Sequence, residues 1–289
     1  MCPKKNTKTI NKDFTYINNQ GSGKIFDFKE LFTYRDLIFL LVRRDVVAVT
    51  KQTVLGPLWY LISPLLSSLA QFFVFGQIAK MPSDGLPYFL FVLSGNVVWS
   101  YFAVSFSSIS GTFKNYEGIF SKVYFPRAVV PISIIISSLF QFGIKLFLLF
   151  SVFLITGNSH FFDSGYLLIP LLLIPLAILS LGLGMIITSL TTKYRDINHI
   201  LATAIGLWMY VTPVIFPTSI LIKQLPNDLT WVVYINPLTS VVDSFRYCLF
   251  DVGVVSSFGY AYSICFSFIV FILGYIKFNK TQRSFIDTI

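Results

Sequence analysis

Leu40-Leu41-Val42-Arg43-Arg44-Asp45 opens the stretch that decides the fold. It runs on through Lys51 to Gly56-Pro57-Leu58-Trp59-Tyr60, and from 57 to 78 it holds no charged residue. At 1.5 Å rise per residue those 22 positions reach about 33 Å, enough to cross a hydrocarbon core of roughly 30 Å. Arg43, Arg44 and Lys51 stand just before the run, and Trp59 and Tyr60 stand where interfacial rings collect. Loops on the cytoplasmic side carry the excess of Lys and Arg, so this first span is expected to enter from the cytoplasm.

Composition agrees with a chain made mostly of spans. Mean hydropathy is +0.72, with 55% hydrophobic and 12% charged residues, whereas soluble domains carry about 25% charged residues. The net charge of +9 raises nucleic acid as a partner, but the cations are gathered at one end of the chain. Ten of them, Lys4 through Lys51, precede the first span, the pattern of a surface lying beside anionic lipid. That placement argues against nucleic-acid binding. Cys2, Cys248 and Cys265 have neither disulfide nor metal-ligand spacing. The first forty residues are polar, so the first span itself is expected to direct insertion.

Residues 1–27, rich in Lys, Asn and Thr, read as a flexible cytoplasmic tail. In 28–53 apolar and charged residues alternate at a roughly helical period, which predicts an amphipathic helix in the headgroup plane. Arg35, Arg43, Arg44 and Lys51 would face lipid headgroups from it. Spans are expected at about 57–78, 87–111, 128–156, 166–191, 200–216 and 258–276. With the amino terminus inside, three further cations fall in the inner segment 112–127, two in 192–198 and three after the last span. Only Lys80, Lys223 and Arg246 fall outside, and Lys145 is left within a span. The asymmetry predicts six spans with both termini cytoplasmic.

Between spans five and six, about forty residues are too apolar for a solvated loop. The pieces 218–225 and 237–250 are too short to cross, so they read as two re-entrant helices. Asn236-Pro237 would open the second as an N-cap followed by Pro in the first helical position. A small cap lying on the outer surface is the other reading of this region. The expected fold is therefore an all-α integral membrane bundle over 28–289.

An intramembrane enzyme needs acids, bases or metal ligands converging at depth. The six runs contain no Asp or Glu, and His160 and His199 cannot form a pair. Lys145 is the single ionic group well inside a run. It lies roughly 26 Å along a helix counted from Ala128, where it either snorkels to the outer interface or takes a buried partner or a pore-lining role, with Asp243 the candidate partner. Gly21-Ser22-Gly23-Lys24 fails as a phosphate loop, because Asn18 stands where Gly is required and Ile25 where Ser or Thr is required. Energy must then come from a partner, since an ion gradient would call for intramembrane carboxylates.

The segment 112–127 is the expected contact for that partner. Phe113, Tyr116, Ile119 and Phe120 share one helical side, with Lys114, Glu117 and Lys122 between them. Phe125-Pro126-Arg127 ends the helix, because a residue before Pro is pushed out of helical geometry. Such a helix suits a groove of a soluble subunit; an ordinary charged loop is the plainer alternative. The 31 Phe, 15 Tyr and 4 Trp serve mainly lipid and interface contacts, and a minority could line a passage for sugar rings.

Taken in order, these residues resemble a known family. Tyr34-Arg35-Asp36-Leu37 and Arg44-Asp45 lead into Lys51-Gln52-Thr53-Val54-Leu55-Gly56-Pro57-Leu58-Trp59 and Pro64. Then come Phe125-Pro126-Arg127, Tyr194-Arg195-Asp196, Pro213, Asn236-Pro237-Leu238 and Phe245-Arg246. This order is similar to the membrane subunits of ABC-2-type exporters of O-antigen, capsule or teichoic-acid polysaccharides, over about 28–289. Val47-Ala48-Val49-Thr50 departs from it, at a place where the family usually carries a basic and an aromatic residue.

The resemblance implies a homodimer in the bacterial cytoplasmic (inner) membrane, with two ATPase subunits that bind ATP and Mg and no cofactor in this chain. The cargo it implies is an undecaprenyl-type lipid-linked glycan. By the same resemblance 112–127 would be a coupling helix, and Asn236, Pro237, Asp243 and Arg246 would belong to gate helices. Export of a drug or small lipid is the alternative within the same class. A membrane-embedded transferase and a purely structural scaffold are alternatives from other classes.

Overall fold

A computed structural model describes residues 32–51, 56–120, 122, 125–156, 164–194 and 196–286. The expected tail 1–27, Arg195 and the side chain of Lys51 lie outside the described residues. Among those described the structure is helical throughout, with no strand.

Helix α1, Arg35–Lys51, turns Leu41 inward to full burial and packs Tyr34, Leu37 and Ile38 beside it. Phe39 and Leu40 stay exposed on its other side, as the apolar run 37–42 anticipates. Gly56 adopts positive φ (52°) and turns the chain into the first span. A 3-10 turn, Gly56–Leu58, leads into α2, Trp59–Gln71, which continues as a π-helical segment, Phe72–Ile78. Pro64, inside α2, has no N–H to give the ladder. The wider segment beyond it closes with Ala79 N donating to the Val74 carbonyl at 3.0 Å.

Helix α3, Tyr88–Ser110, is the most buried span and forms the axis of the bundle. It is followed by two single turns, α4 (Thr112–Asn115) and α5 (Glu117–Phe120). Next come α6, Val129–Ile155, and α7, Ile169–Thr191, the latter behind a 3-10 turn, Ser164–Leu168. Helix α8 covers Ile197–Val211 and α9 covers Thr218–Gln224. A 3-10 turn, Asn227–Leu229, and the single turn α10, Val232–Ile235, lead to α11, Pro237–Phe250. Helix α12, Ser257–Ile286, ends the described chain.

Among the described residues five segments are long and apolar enough to cross a membrane: Gly56–Ile78, Tyr88–Ser110, Val129–Ile155, Gly165–Thr191 and Ser257–Gln282. They coincide with five of the six expected runs. The remaining one differs. Expected over 200–216, it forms the 15-residue α8, about 22 Å long, because Thr212 takes extended geometry (ψ 142°) and stops the helix before Pro213. The described residues thus form an all-α multi-pass membrane bundle in which five segments have the length to span.

Two features hold the bundle together. Leu90, Leu93, Val97 and Phe102 of α3 pack with Leu172, Leu176 and Leu179 of α7 and with Val241, Val242 and Phe245 of α11. Small residues also bring α7 and α12 close: a Cβ on Gly182 would stand 2.6 Å from the Phe271 nitrogen, and one on Gly274 would overlap the Gly182 carbonyl. Between membrane helices, where water gives no hydrophobic drive, such backbone approach is the main source of packing attraction.

Candidate functional site

The first cluster joins α1 to the α3–α6 connection. Arg44 donates from Nε and Nη2 to Asp45 Oδ1 at 3.0 and 2.6 Å, and its guanidinium lies 4.6 Å from the Tyr116 ring centroid. The Tyr116 hydroxyl donates to Asp45 Oδ2 at 3.1 Å. Burial, reinforced by the Asp45 carboxylate, pushes the Tyr116 phenol up to about 12, so at neutral pH it keeps the proton it donates. A cavity of about 290 Å³ opens beside this cluster, with Ser108, Ser137, Ser138 and Gln141 on its walls. Arg43 is exposed, and Arg35 is exposed beside Asp36 at 3.7 Å.

The 112–127 segment differs from the single amphipathic helix expected. Tyr116 (φ −115°, ψ 11°) breaks it into α4 and α5. Its aromatic side is covered by the chain itself: Phe113 stacks on Phe278 of α12 with centroids 4.9 Å apart, and Phe120 lies 5.5 Å from Phe125. Arg127 stands over Phe113 and Phe120 and donates to the Gln282 carbonyl at 3.2 Å. Ile119 is half-buried with Phe120. The surface left open consists of Lys114, Asn115, Glu117, Gly118 and Lys122. Helical periodicity identified the apolar side; the end of α12, more than 150 residues away, determines what covers it.

The second cluster surrounds α11. Asn236 caps it, its Oδ1 accepting from Leu238 N at 3.1 Å. The same side chain accepts from Trp208 Nε1 at 3.2 Å and donates to Thr212 Oγ1 at 2.9 Å. One residue thus ties the end of α8 to the start of α11. Pro237 occupies the first helical position.

Arg246, expected on the outer side in the re-entrant piece 237–250, is fully buried (1% exposed). It donates to the carbonyls of Pro213, Val214 and Phe91 at 2.5, 2.9 and 3.2 Å and to Ser94 Oγ at 3.3 Å. Its guanidinium lies 3.6 Å from the Phe91 ring centroid, and Asp243 Oδ1 is 3.9 Å from Nη1. This arginine satisfies the Pro213 and Val214 carbonyls in the turn after α8, which explains how non-helical chain is tolerated there.

Lys145 differs from both the snorkelling and the Asp243 expectations. It is buried and donates to Ser100 Oγ at 3.0 Å, while Asp243 is paired with Arg246. Snorkelling fails because α3 and α2 pack over this side of α6 and cover the ammonium. Nearby, Asn96 Nδ2 donates to Ser68 Oγ at 2.8 Å and to Gln71 Oε1 at 2.7 Å. The polar residues inside spans one and two, Gln71, Asn96 and Ser100, were the available sequence signal for this cluster; their pairing across helices was not. No group of His, Cys, Asp and Glu among the described residues could hold a metal ion.

Comparison with known proteins agrees with this architecture. The family model described as ABC-2 type transporter matches residues 36–250. The chain is 28% identical over 255 residues to an O-antigen export system permease protein, RfbA, of Klebsiella pneumoniae, covering 87% of this chain and 94% of that protein. It is 26% identical over 223 residues to the protein of the same name from Myxococcus xanthus, covering 77% and 84%. The polysialic acid transport protein KpsM of Escherichia coli is 22% identical over 239 residues, covering 81% and 89%. With a family match running from α1 through α11, the chain belongs to the ABC-2 type transporter family as a membrane permease subunit.

Proposed function

We propose that this subunit forms, as a homodimer, the conduit of an ATP-driven exporter that carries a lipid-linked polysaccharide out of the cytoplasm. The observation that carries this is the match over 36–250, joined to relatives named for O-antigen export. Spans without a single carboxylate offer no ion-driven mechanism, so two separate ATPase subunits supply the work. They dock on the open polar side of α4–α5 (Lys114, Glu117, Lys122) and beside α1.

Six crossings fit this reading. Thr191 of α7 donates to the Ser110 carbonyl, and Phe278 of α12 stacks on Phe113, so both helices end at the face that holds α4. Helix α12 begins at the opposite face, near Tyr234 and Ser240. The chain between them crosses through α8 and the turn after it, and α9 and α11 re-enter from the far side as gate elements. The cation excess assigns the α4 face, and with it both termini, to the cytoplasm. Arg43, with Arg44 and Lys51, attracts the pyrophosphate of the lipid carrier to that face. Charge reversal at all three should then lower carrier binding; unchanged binding would refute this assignment.

The decisive experiment is co-purification with a phosphate-loop ATPase, followed by reconstitution. Turnover should rise on adding lipid-linked glycan and stay flat with the lipid carrier alone. A complex stimulated by small amphiphiles and indifferent to glycan would replace polysaccharide export with export of a small lipid or drug.

A further inference from the structure

Lys145 lies where a cation is costly, and the bundle gives it only a hydroxyl. Its residue is 8% exposed, and Ser100 Oγ at 3.0 Å accepts one of its three N–H donors. Among the described residues the close ion pairs are Arg35–Asp36, Arg44–Asp45 and Arg246–Asp243. No carboxylate of the described chain compensates Lys145. Ionisable groups retained at membrane depth without a counter-charge mark places that a ligand or ion visits.

The surroundings are those of a binding pocket. Ser63, Ser67, Gln71, Asn96, Ser100 and Lys145 line a cavity of about 180 Å³ between α2, α3 and α6, with Trp99 and Met209 completing the wall. Ser63 and Ser67 are exposed at its mouth, while Asn96 and Lys145 are buried. The cavity is smaller than the about 300–1,000 Å³ of sites that enclose drug-sized molecules, so it accommodates a head group rather than a whole glycan.

The lining residues of this cavity and of the Arg44 cavity follow one another along the same two helices. Asn96, Ser100, Val104 and Ser108 recur every fourth residue along α3, and Ser137, Gln141 and Lys145 do so along α6. Val104, Ser108, Ser137 and Gln141 line the cavity beside Arg44, and Asn96, Ser100 and Lys145 line the other. Along α6 the nearest lining residues of the two, Gln141 and Lys145, are four residues apart, about 6 Å of rise. A cation stands at each end of this row, which Val104 alone interrupts among its hydroxyls and amides.

We infer that the Lys145 cavity is an intramembrane site for an anionic oxygen group, a phosphate or a carboxylate, carried by the cargo. The ammonium supplies the charge, and the Ser63 and Ser67 hydroxyls and the Gln71 and Asn96 amides supply neutral hydrogen bonds. The source of the anion, lipid phosphate or acidic sugar, rests on the export reading above; the site itself does not.

The test uses the full-length chain in dodecyl maltoside without nucleotide, so it is independent of transport. Two probes are titrated, dodecyl phosphate and a hexuronic-acid oligosaccharide, with the neutral detergent as background. Binding of either to the wild-type chain is expected, with affinity reduced tenfold or more in Lys145→Met and retained in Lys145→Arg. The probe that binds identifies the source. Equal binding to wild type and Lys145→Met, or binding of neither probe to wild type, overturns the site. Should Lys145→Met fail to fold, Ser67→Leu decides the matter from the exposed mouth: lost binding supports the site and unchanged binding overturns it. Absence of probe binding to the wild-type chain alongside intact glycan-stimulated ATPase turnover would sink this site alone and leave the export reading standing.

Discussion

Arg246 shows how much can depend on one side chain in a piece too short to cross the membrane. It bonds three backbone carbonyls and Ser94 and faces both Phe91 and Asp243, and a Cβ on Gly95 would stand 2.6 Å from its Nη2. Arg246→Met strands those carbonyls and leaves Asp243 without its partner, a loss on the order of 3–5 kcal/mol for a broken buried pair. The expected result is a lower melting temperature and a reduced monodisperse fraction on size exclusion. Adding Asp243→Asn should restore part of the loss; a double variant no better than the single would show that the carbonyls alone matter. Tyr116 offers a gentler probe. Tyr116→Phe keeps the ring beneath Arg44 but removes the hydrogen bond to Asp45, worth about 1 kcal/mol. Stability should change little, while ATPase stimulation by cargo should fall if α1 and α4 move as a unit.

At the scale of elements, the long helices were legible because apolar runs of span length admit one structure in lipid. Elements whose residues answer to distant partners were not. The 112–120 stretch reads as a continuous helix by period, yet packing on Phe278 and the Arg44–Asp45 pair breaks it at Tyr116. Helix α11 was legible from Asn236-Pro237 because capping is local, whereas its burial against α3, α7 and α12 over 237–246 was not. The α7–α12 crossing depends on two hydrogen atoms in place of methyl groups. Gly274→Ala should force the helices apart at the Gly182 carbonyl, costing about 1–3 kcal/mol by overpacking, and thermal unfolding in detergent measures it. Gly143→Ala is the control, since nothing lies within 4 Å of a Cβ there.

For the whole molecule, sidedness is the most exposed prediction. In a background with Cys2, Cys248 and Cys265 replaced, Lys114→Cys and Lys280→Cys should react with membrane-impermeant maleimide only after cells are opened. Lys223→Cys should react in intact cells. Lys114, Lys223 and Lys280 are all exposed, so silence at any of them reflects topology rather than burial. Labelling of Lys280→Cys from outside would remove the α8 crossing, and with it the cytoplasmic carboxyl terminus.

What the amino-acid sequence determined by itself was the solvent of the protein, the positions of its long spans, the clustering of cations and the absence of intramembrane acids. Each of these follows from residue type and run length, because a bilayer penalises every exposed charge and every unpaired peptide group along a single helix. Tertiary structure alone decided that Arg246 anchors backbone, that Lys145 faces a hydroxyl-lined cavity, and that the aromatic side of 112–120 is covered from within. Those outcomes depend on which helices lie side by side, and contacts between residues 45 to 155 positions apart leave no periodicity to read.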